Sequence, residues 1–470
     1  MHYLTDCDWM NLLLNPIFFC RVLKCFLQDP DRLKRLTAEE LRKHQSKALK
    51  SMINHAFNVP LYREKYKKAG VSPTDIKEID DIEKLPFISK DDIRKHSPDG
   101  IISSTFNRNY GIISRTGGTT GESIPIYLDM YTVIKAMLGF VRAFKEYHVD
   151  WKKTKMSLFI DLSERSFENE YFINSIFPSI KTIFPQKNIQ FFDLFNITSD
   201  IVNKIDAFQP DFIAGYPYAL VQLAIFRKKG FGKNINPNSI MSSGSYLDNY
   251  LRKLIEDEFK TKVYDFYAAT ESGPIAFECK NGNYHVFSDL IYPEFMRKGE
   301  IVQPGEPGTL IITKLYGGGT PIIRYTGIDD VVTTGENNCS CGFAGKIIKS
   351  IHGRKKDSIL LPGGKMALPS FMENILGETV HDAKANKIQR IQIIQHKIDN
   401  LEIKILFDKE LRNVGSLPNE VIYLLKRKLI DRLGSNIEIS IKEVEKFDTK
   451  DPYFICKLDR SKFIEKSFLV

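Results

Sequence analysis

The 470-residue chain lacks the marks of several protein classes. Its seven cysteines are odd in number and irregularly spaced, so they lay out no disulfide framework; a reducing compartment, the cytoplasm, suits them better. No basic run with interleaved aromatics occurs, and the 67 Lys and Arg are spread along the chain, which argues against a nucleic-acid partner. The formal charge of +9 is modest and hints at small anionic ligands such as nucleotides. No fixed-period repeat or low-complexity tract is present. Nor is there an uninterrupted apolar run that would span a bilayer. The nearest, WMNLLLNPIFFCRVLKCFL, is broken by Arg21 and Lys24. It has no basic residues ahead and no small residues behind, as a signal peptide would need. It reads as an amphipathic helix packed on the body, with peripheral membrane contact as the second reading.

What the chain does have is 43% hydrophobic content, enough for a large core spread over two to four domains. A helical pattern runs from Ala38 to about Lys68, with Leu41, Leu49, Met52, Ile53 and Phe57 near a 3.6 period, and Pro60 is expected to end it. A short helix should start at Ser89, with Asp91 and Asp92 in its first turn. Further on, helical stretches (133–145, 219–229, 247–259) alternate with β-rich runs such as MSLFIDL, PDFIAGY and KVYDFY. That alternation predicts an α/β fold with largely parallel sheet. Residues 283–350 read as a β-rich subdomain. From Asp357 the composition shifts to a compact α+β unit, so the expected domains are 1–356 and 357–470.

Four stretches carry the chemistry. SRTGGTTGESIP (114–125) is rich in Gly and Thr between two β-branched runs. Gly-rich backbone can turn several N–H groups onto a polyphosphate without Cβ clashes. A Walker loop would end in Lys followed by Ser or Thr, but Gly121 is followed by Glu122 and Ser123, so this is no P-loop NTPase. In FYAATESGP, Thr270 and Glu271 end a β-rich run. A carboxylate beside a hydroxyl there can hold Mg²⁺ against a phosphate oxygen. PIIRYTGIDD sets Asp329 where a strand gives way to a turn, suited to accept both ribose hydroxyls. IHGRKKDSI brings Arg354 and then Asp357 to the expected domain boundary. Separately, Cys279 and His285 in FECKNGNYH and Cys339 and Cys341 in NNCSCG offer three thiolates and an imidazole, the donor set of a closed tetrahedral Zn²⁺ site. Each stretch also has a plain structural reading as cap, packed strand, turn or core residue.

Taken together and in this order, these stretches resemble the adenylate-forming (acyl/aryl-CoA synthetase) superfamily, in its phenylacetate–CoA ligase-like branch, which includes capsular polysaccharide biosynthesis proteins. NVPLYREKYKKAG, DIEKLPFISKDDIRKH and PDFIAGYPYALVQLA belong to the same likeness. The resemblance implies a large N-terminal adenylate-forming domain of layered α/β sheets and a small mobile α+β C-terminal domain that turns at Asp357. It implies that Thr116, Gly117, Gly118, Thr119, Thr120 and Gly121 wrap the ATP phosphates. Ser243, Gly244 and Ser245 would line an adenine pocket, with Tyr267 stacked on the base. Thr270 would touch the α-phosphate, Glu271 would hold Mg²⁺, and Asp329 with Arg354 would bind the ribose. Tyr216, Pro217 and Tyr218 would sit near the acid. Relatives in the branch carry similarly placed Cys and His, some with zinc.

The implied reaction joins a carboxylic acid to ATP as acyl-AMP and then passes the acyl group to coenzyme A. The alternatives are a non-CoA acceptor in surface or capsular polysaccharide assembly, or a nucleotide-binding homologue without turnover. The chain departs from the pattern at the adenylation lysine. The usual Gly-Lys turn is replaced within FDTKDPYFICKLDRSKF, where Lys457 is the nearest analogue and Lys462 a rival.

Overall fold

The computed structural model describes residues 16, 20, 23, 24, 27 and 29–470, except 109–110, 117–122, 151, 164–165, 167, 170–185, 384–386, 410–411 and 448–452. The apolar N-terminal run and the centre of the Gly/Thr loop thus lie almost wholly outside the described residues. Among those described, no helix is long and apolar enough to cross a membrane. The chain divides into two compact units. One holds most residues up to Ser350, and the other takes Ile351–Val470 with Asp329–Thr333 and Asp248–Tyr250.

In the first unit, helix α1 (Ala38–Ala56) opens with a capping box in which Thr37 and Glu40 bond each other's backbone N–H. The helical pattern expected to run on to Lys68 breaks at residues 57–59. Pro60 does not end a helix there; it starts α2 (Pro60–Ala69), because at a first helical position its missing N–H costs nothing. Helix α3 (Lys90–His96) is capped by Ser89 with Asp92 in its first turn, in line with the sequence. The antiparallel pair β1 (Ile112–Arg115) and β2 (Pro125–Leu128) flanks the Gly/Thr loop, with Arg115 opposite Pro125. Helix α4 (Met130–Glu146) follows from an Asp129 cap.

The alternation then appears as expected. Strands β3 (Met156–Ile160), β4 (Ile189–Asp193), β5 (Phe212–Gly215), β6 (Ser239–Ser243) and β7 (Val263–Ala269) form a parallel run in the order β4-β3-β5-β6-β7. Helices α5 (Ser199–Phe208), α6 (Pro217–Lys228) and α7 (Asn249–Phe259) lie between consecutive strands of this run in the chain. Every residue of β5 is buried, as expected of a strand covered on both faces. After β7 the direction reverses: β8 (Gly273–Glu278) and β9 (Tyr284–Val286) continue the sheet antiparallel. Strand β10 (Ile291–Arg297) pairs with β11 (Glu300–Ile301) and β12 (Pro307–Lys314), giving the β-rich region.

The second unit contains β13 (Asp330–Thr334) up to Thr333 and the end of β14 (Ile347–Arg354). A small sheet of β15 (Ile359–Leu361) and β16 (Lys365–Ala367) is completed by a strand at Ser467–Leu469, parallel to β16. A four-stranded sheet is built on β17 (Ile388–Lys397) and β18 (Asn400–Phe407), flanked by β19 (Glu438–Glu443) and β20 (Phe454–Cys456). Helices α8 (Pro369–Asp382) and α9 (Pro418–Leu433) supply Met372, Ile375, Leu425 and Leu429 to a core completed by Ile393, Ile403 and Ile405 of the sheet. The burial of β18 alternates residue by residue, apolar in and polar out, as a strand with one face on the core requires.

Candidate active site

Ligands of open α/β sheets bind beyond the carboxyl ends of the parallel strands. Three sequence-predicted stretches meet at that edge. Tyr216 follows β5, Ser243 ends β6 with Gly244 and Ser245 after it, and Thr270–Glu271 follows β7. The Ser243 hydroxyl donates to the Phe266 carbonyl at 2.8 Å, tying the end of β6 to β7. Gly244 has φ +86°, and a Cβ there would lie 2.3 Å from the Tyr216 ring, so only glycine lets the ring pack so close. The Tyr216 hydroxyl contacts Glu168 at 3.3 Å, and burial is the main cause raising the Glu168 carboxyl above its usual range. Gly244 and Ser245 are exposed, and Tyr267 and Thr270 are half-buried. Of the residues expected near the acid, Pro217 is buried at the start of α6 while Tyr218 is 54% exposed.

Glu271 sits in the turn where β7 gives way to antiparallel β8. It is only 6% exposed. Its Oε1 accepts a hydrogen bond from the Tyr325 hydroxyl at 3.1 Å, and Oε2 has no hydrogen-bond partner among the described residues. The neighbouring Ser272 carbonyl accepts from the Tyr316 hydroxyl at 3.3 Å.

Of the Gly/Thr loop, Thr116 is described and buried. Its N–H donates to the Ile124 carbonyl and its Oγ1 accepts from the Ile124 N–H, both at 3.1 Å. Thr116 therefore closes the base of the loop. Gly117, Gly118, Thr119, Thr120, Gly121 and Glu122 lie outside the described residues. The loop base is anchored where Tyr127 and Thr320 exchange two hydrogen bonds, of 3.1 and 2.8 Å. One segment, 316–325, thus supports both the loop base and the Glu271 turn, a link no local motif reveals.

In the second unit, Asp329 has a positive φ of 63°. It stands where a turn gives way to strand β13, the reverse of the order read from PIIRYTGIDD. Its Oδ2 accepts the Lys356 N–H at 2.8 Å, and its carbonyl accepts the Lys355 N–H at 2.7 Å. Burial raises its carboxyl above the usual range, with the Lys356 N–H opposing. Arg354 is exposed at the end of β14, and Asp357 is half-buried with its carboxyl raised by burial. Sequence reading misses Arg460, whose guanidinium bonds the carbonyls of Lys355 at 2.7 Å and Ser358 at 2.9 Å and so frames the turn around Asp357.

Lys457 follows β20 and is exposed, with Nζ 3.2 Å from His396 Nδ1; His396 Nε2 in turn faces Glu402 at 2.9 Å. Lys462 is exposed beside Asp459. A third lysine of the same segment, Lys450, lies outside the described residues.

The cysteine–histidine constellation is drawn together in the first unit. Cys279 follows β8, His285 lies on β9, and Cys339 and Cys341 come from the loop before β14. The pairing of His285 with Ile347 brings that loop alongside. The four ligand atoms lie within 4.8 Å of one another. Cys339 Sγ is 3.2 Å from Cys341 Sγ and 3.9 Å from Cys279 Sγ. Among the described residues, His285 Nε2 is buried without a hydrogen-bond partner, an orphan that a metal bond would satisfy. Burial opposes ionisation of Cys339, but the Asn281 amide and the Cys341 N–H pull its thiol down to about 5. The donor set and its convergence fit Zn²⁺.

Residues 364–451 match the family described as the CapK C-terminal domain. Over 433 residues the chain is 26% identical to Protein CapK of Staphylococcus aureus, covering 91% of this chain and 90% of that one. It is 27% identical over 431 residues to the phenylacetate-coenzyme A ligase of Pseudomonas putida, covering 87% and 92%. Among solved structures, 2-hydroxyisobutyryl-CoA ligase in the postadenylation state with 2-HIB-AMP superposes with a TM-score of 0.70 at 18% identity, over 92% of each chain. Over nearly its whole length the chain is thus similar in sequence to CapK and to phenylacetate–CoA ligases, and it shares its fold with a solved CoA ligase.

Proposed function

We propose that the protein is an ATP-dependent carboxylate-activating ligase. A carboxylate oxygen attacks the α-phosphorus of ATP, the bond to the β-phosphate oxygen breaks, and acyl-AMP and pyrophosphate result. A thiol, that of coenzyme A, then attacks the acyl carbon and AMP leaves. The observation that carries this reading is Glu271: buried at the carboxyl edge of the sheet, with one oxygen held and the other without a hydrogen-bond partner among the described residues. The relatives named phenylacetate-coenzyme A ligase support the same chemistry.

In this reading the residues do little covalent work. They position and neutralise, as in phosphoryl transfer generally. The loop 116–121 cradles the phosphates, Ser243–Ser245 and Tyr267 hold the base, and Thr270 contacts the α-phosphate. Asp329 and Arg354 hold the ribose. Glu271 would hold Mg²⁺, which when bound neutralises phosphate charge. Lys457 is the candidate for the lysine of the adenylation step, with Lys462 its rival. Cys279, His285, Cys339 and Cys341 would hold a structural Zn²⁺ away from the reaction. The match to the CapK C-terminal domain supports testing acceptors other than coenzyme A.

Pyrophosphate release, measured with ATP, Mg²⁺ and a panel of carboxylic acids, tests the site. Glu271→Ala and Asp329→Ala should each lose on the order of 100-fold or more. Normal turnover in both variants would mean that the site lies elsewhere. Exchanging coenzyme A for hydroxyl or amine acceptors in a product assay identifies the second nucleophile.

A further inference from the structure

Two motifs, NVPLYREKYKKAG and DIEKLPFISKDDIRKH, have no role in the chemistry so far, yet both end at the same side chain. Tyr325 is fully buried, and its hydroxyl lies 3.1 Å from Glu271 Oε1. Its backbone is gripped on both sides. Tyr325 and Ile312 exchange hydrogen bonds of 2.9 and 3.2 Å on one side. On the other, Ile88 of the second motif donates to the Arg324 carbonyl at 3.1 Å and accepts from the Thr326 N–H at 2.9 Å. Tyr62 of the first motif donates its hydroxyl hydrogen to the Pro321 carbonyl at 2.6 Å and accepts the Ile323 N–H at 3.3 Å. Arg324, forced to a positive φ of 45°, is locked by a two-pronged pair with Glu294 at 2.7 and 3.1 Å. A Cβ on Gly327 would lie 2.2 Å from the Tyr325 hydroxyl, so the chain is bare where that hydroxyl needs room.

A tyrosine this heavily constrained can aim its hydroxyl in only one direction, and that direction is one oxygen of a buried carboxylate. That hydrogen bond restrains the Glu271 carboxylate and favours one bearing for Oε2. Partners that orient a metal-holding carboxylate change metal affinity without touching the metal.

We propose that Tyr325 is a positioning residue that sets the carboxylate plane of Glu271 for Mg²⁺, and that Tyr62 and Ile88 hold Tyr325 in that pose. This rests on Glu271 being the Mg²⁺ carboxylate. The test is ATP binding by calorimetry on the full chain, without acid or acceptor, across a Mg²⁺ series and in EDTA. The wild type should bind ATP more tightly as Mg²⁺ rises. Tyr325→Phe keeps the ring and its packing; it should need roughly 10-fold more Mg²⁺ for the same gain while binding ATP unchanged in EDTA. Tyr62→Phe should shift the Mg²⁺ requirement the same way by a smaller factor, and it carries the test if Tyr325→Phe fails to fold. Glu271→Gln separates the two claims. If it abolishes the Mg²⁺ dependence while both tyrosine variants match the wild type, Tyr325 has no positioning role although the Mg²⁺ reading stands. If Glu271→Gln keeps the full Mg²⁺ dependence, the metal assignment itself falls, and the proposal with it.

Discussion

Lys314 ends strand β12 and is only 3% exposed. Its ammonium lies 5.0 Å from the centre of the Tyr316 ring. Burial pulls its pKa down to about 8, with Asp129 opposing. The folded chain therefore releases this proton earlier than the unfolded chain, whose lysine titrates near 10.5. Between about pH 8 and 10.5 the unfolded state binds more protons, so this group makes stability rise with pH. Below pH 8 its full charging penalty is present. Lys314→Met should remove that penalty, raising stability near pH 7 by on the order of 1–3 kcal/mol. Urea unfolding at several pH values would check it: the difference between variant and wild type should shrink as pH climbs from 8 to 10.5. A constant difference would contradict the account. Nothing in GTLIITKL marks this lysine as buried; the chain just after it packs Gly317 and Gly318 against Thr132 and Asp129 at the start of α4. Glu271 was legible because a carboxylate after a β-rich run in FYAATESGP is a local signal. Tyr325 was not, because its aim depends on Tyr62, Ile88 and Ile312, all remote in the chain.

At the scale of elements, local signals marked the helix starts where caps were present, as at Ser89. They misread Pro60, whose two roles as helix ender and helix starter look alike until the preceding turn is seen. Asp329 precedes its strand rather than ending one, and no local signal shows this, because its positive φ is held by contacts with the remote Lys355 and Lys356 amides. The β8–β9 hairpin illustrates the opposite case. Cys-x-Cys in a turn is a strong local cue, and only the register between β9 and β14 was needed to bring it to Cys279 and His285. If these four residues hold zinc, the purified chain should carry about one equivalent by metal analysis. Removing it with a chelator, or substituting Cys339→Ser, should lower the melting temperature, by on the order of 5 °C. Metal-free protein from zinc-replete medium, melting unchanged after chelation, would show the cluster to be packing alone.

The order of motifs along the whole molecule carried the reading further than any single stretch. The Gly/Thr loop is indistinguishable from a linker alone. It acquires meaning from its base, which Thr116 closes and Thr320 anchors beside the turn that holds Glu271. The adenylation lysine stayed illegible because the segment from 446 to 462 offers several lysines and no glycine. The acid is illegible for a related reason: Tyr216 spends its ring on Gly244 and its hydroxyl on Glu168, so the YPY motif says little about the substrate. The central claim is that this chain forms an acyl-adenylate, and it can be tested before the acceptor is known. Isotope exchange between labelled pyrophosphate and ATP, run without coenzyme A against a broad panel of carboxylic acids, reads the first half-reaction by itself. The account predicts exchange that requires Mg²⁺ and at least one of the acids, and that disappears in Glu271→Ala. ATP binding with no exchange for any acid would contradict it and leave a nucleotide-binding homologue without turnover.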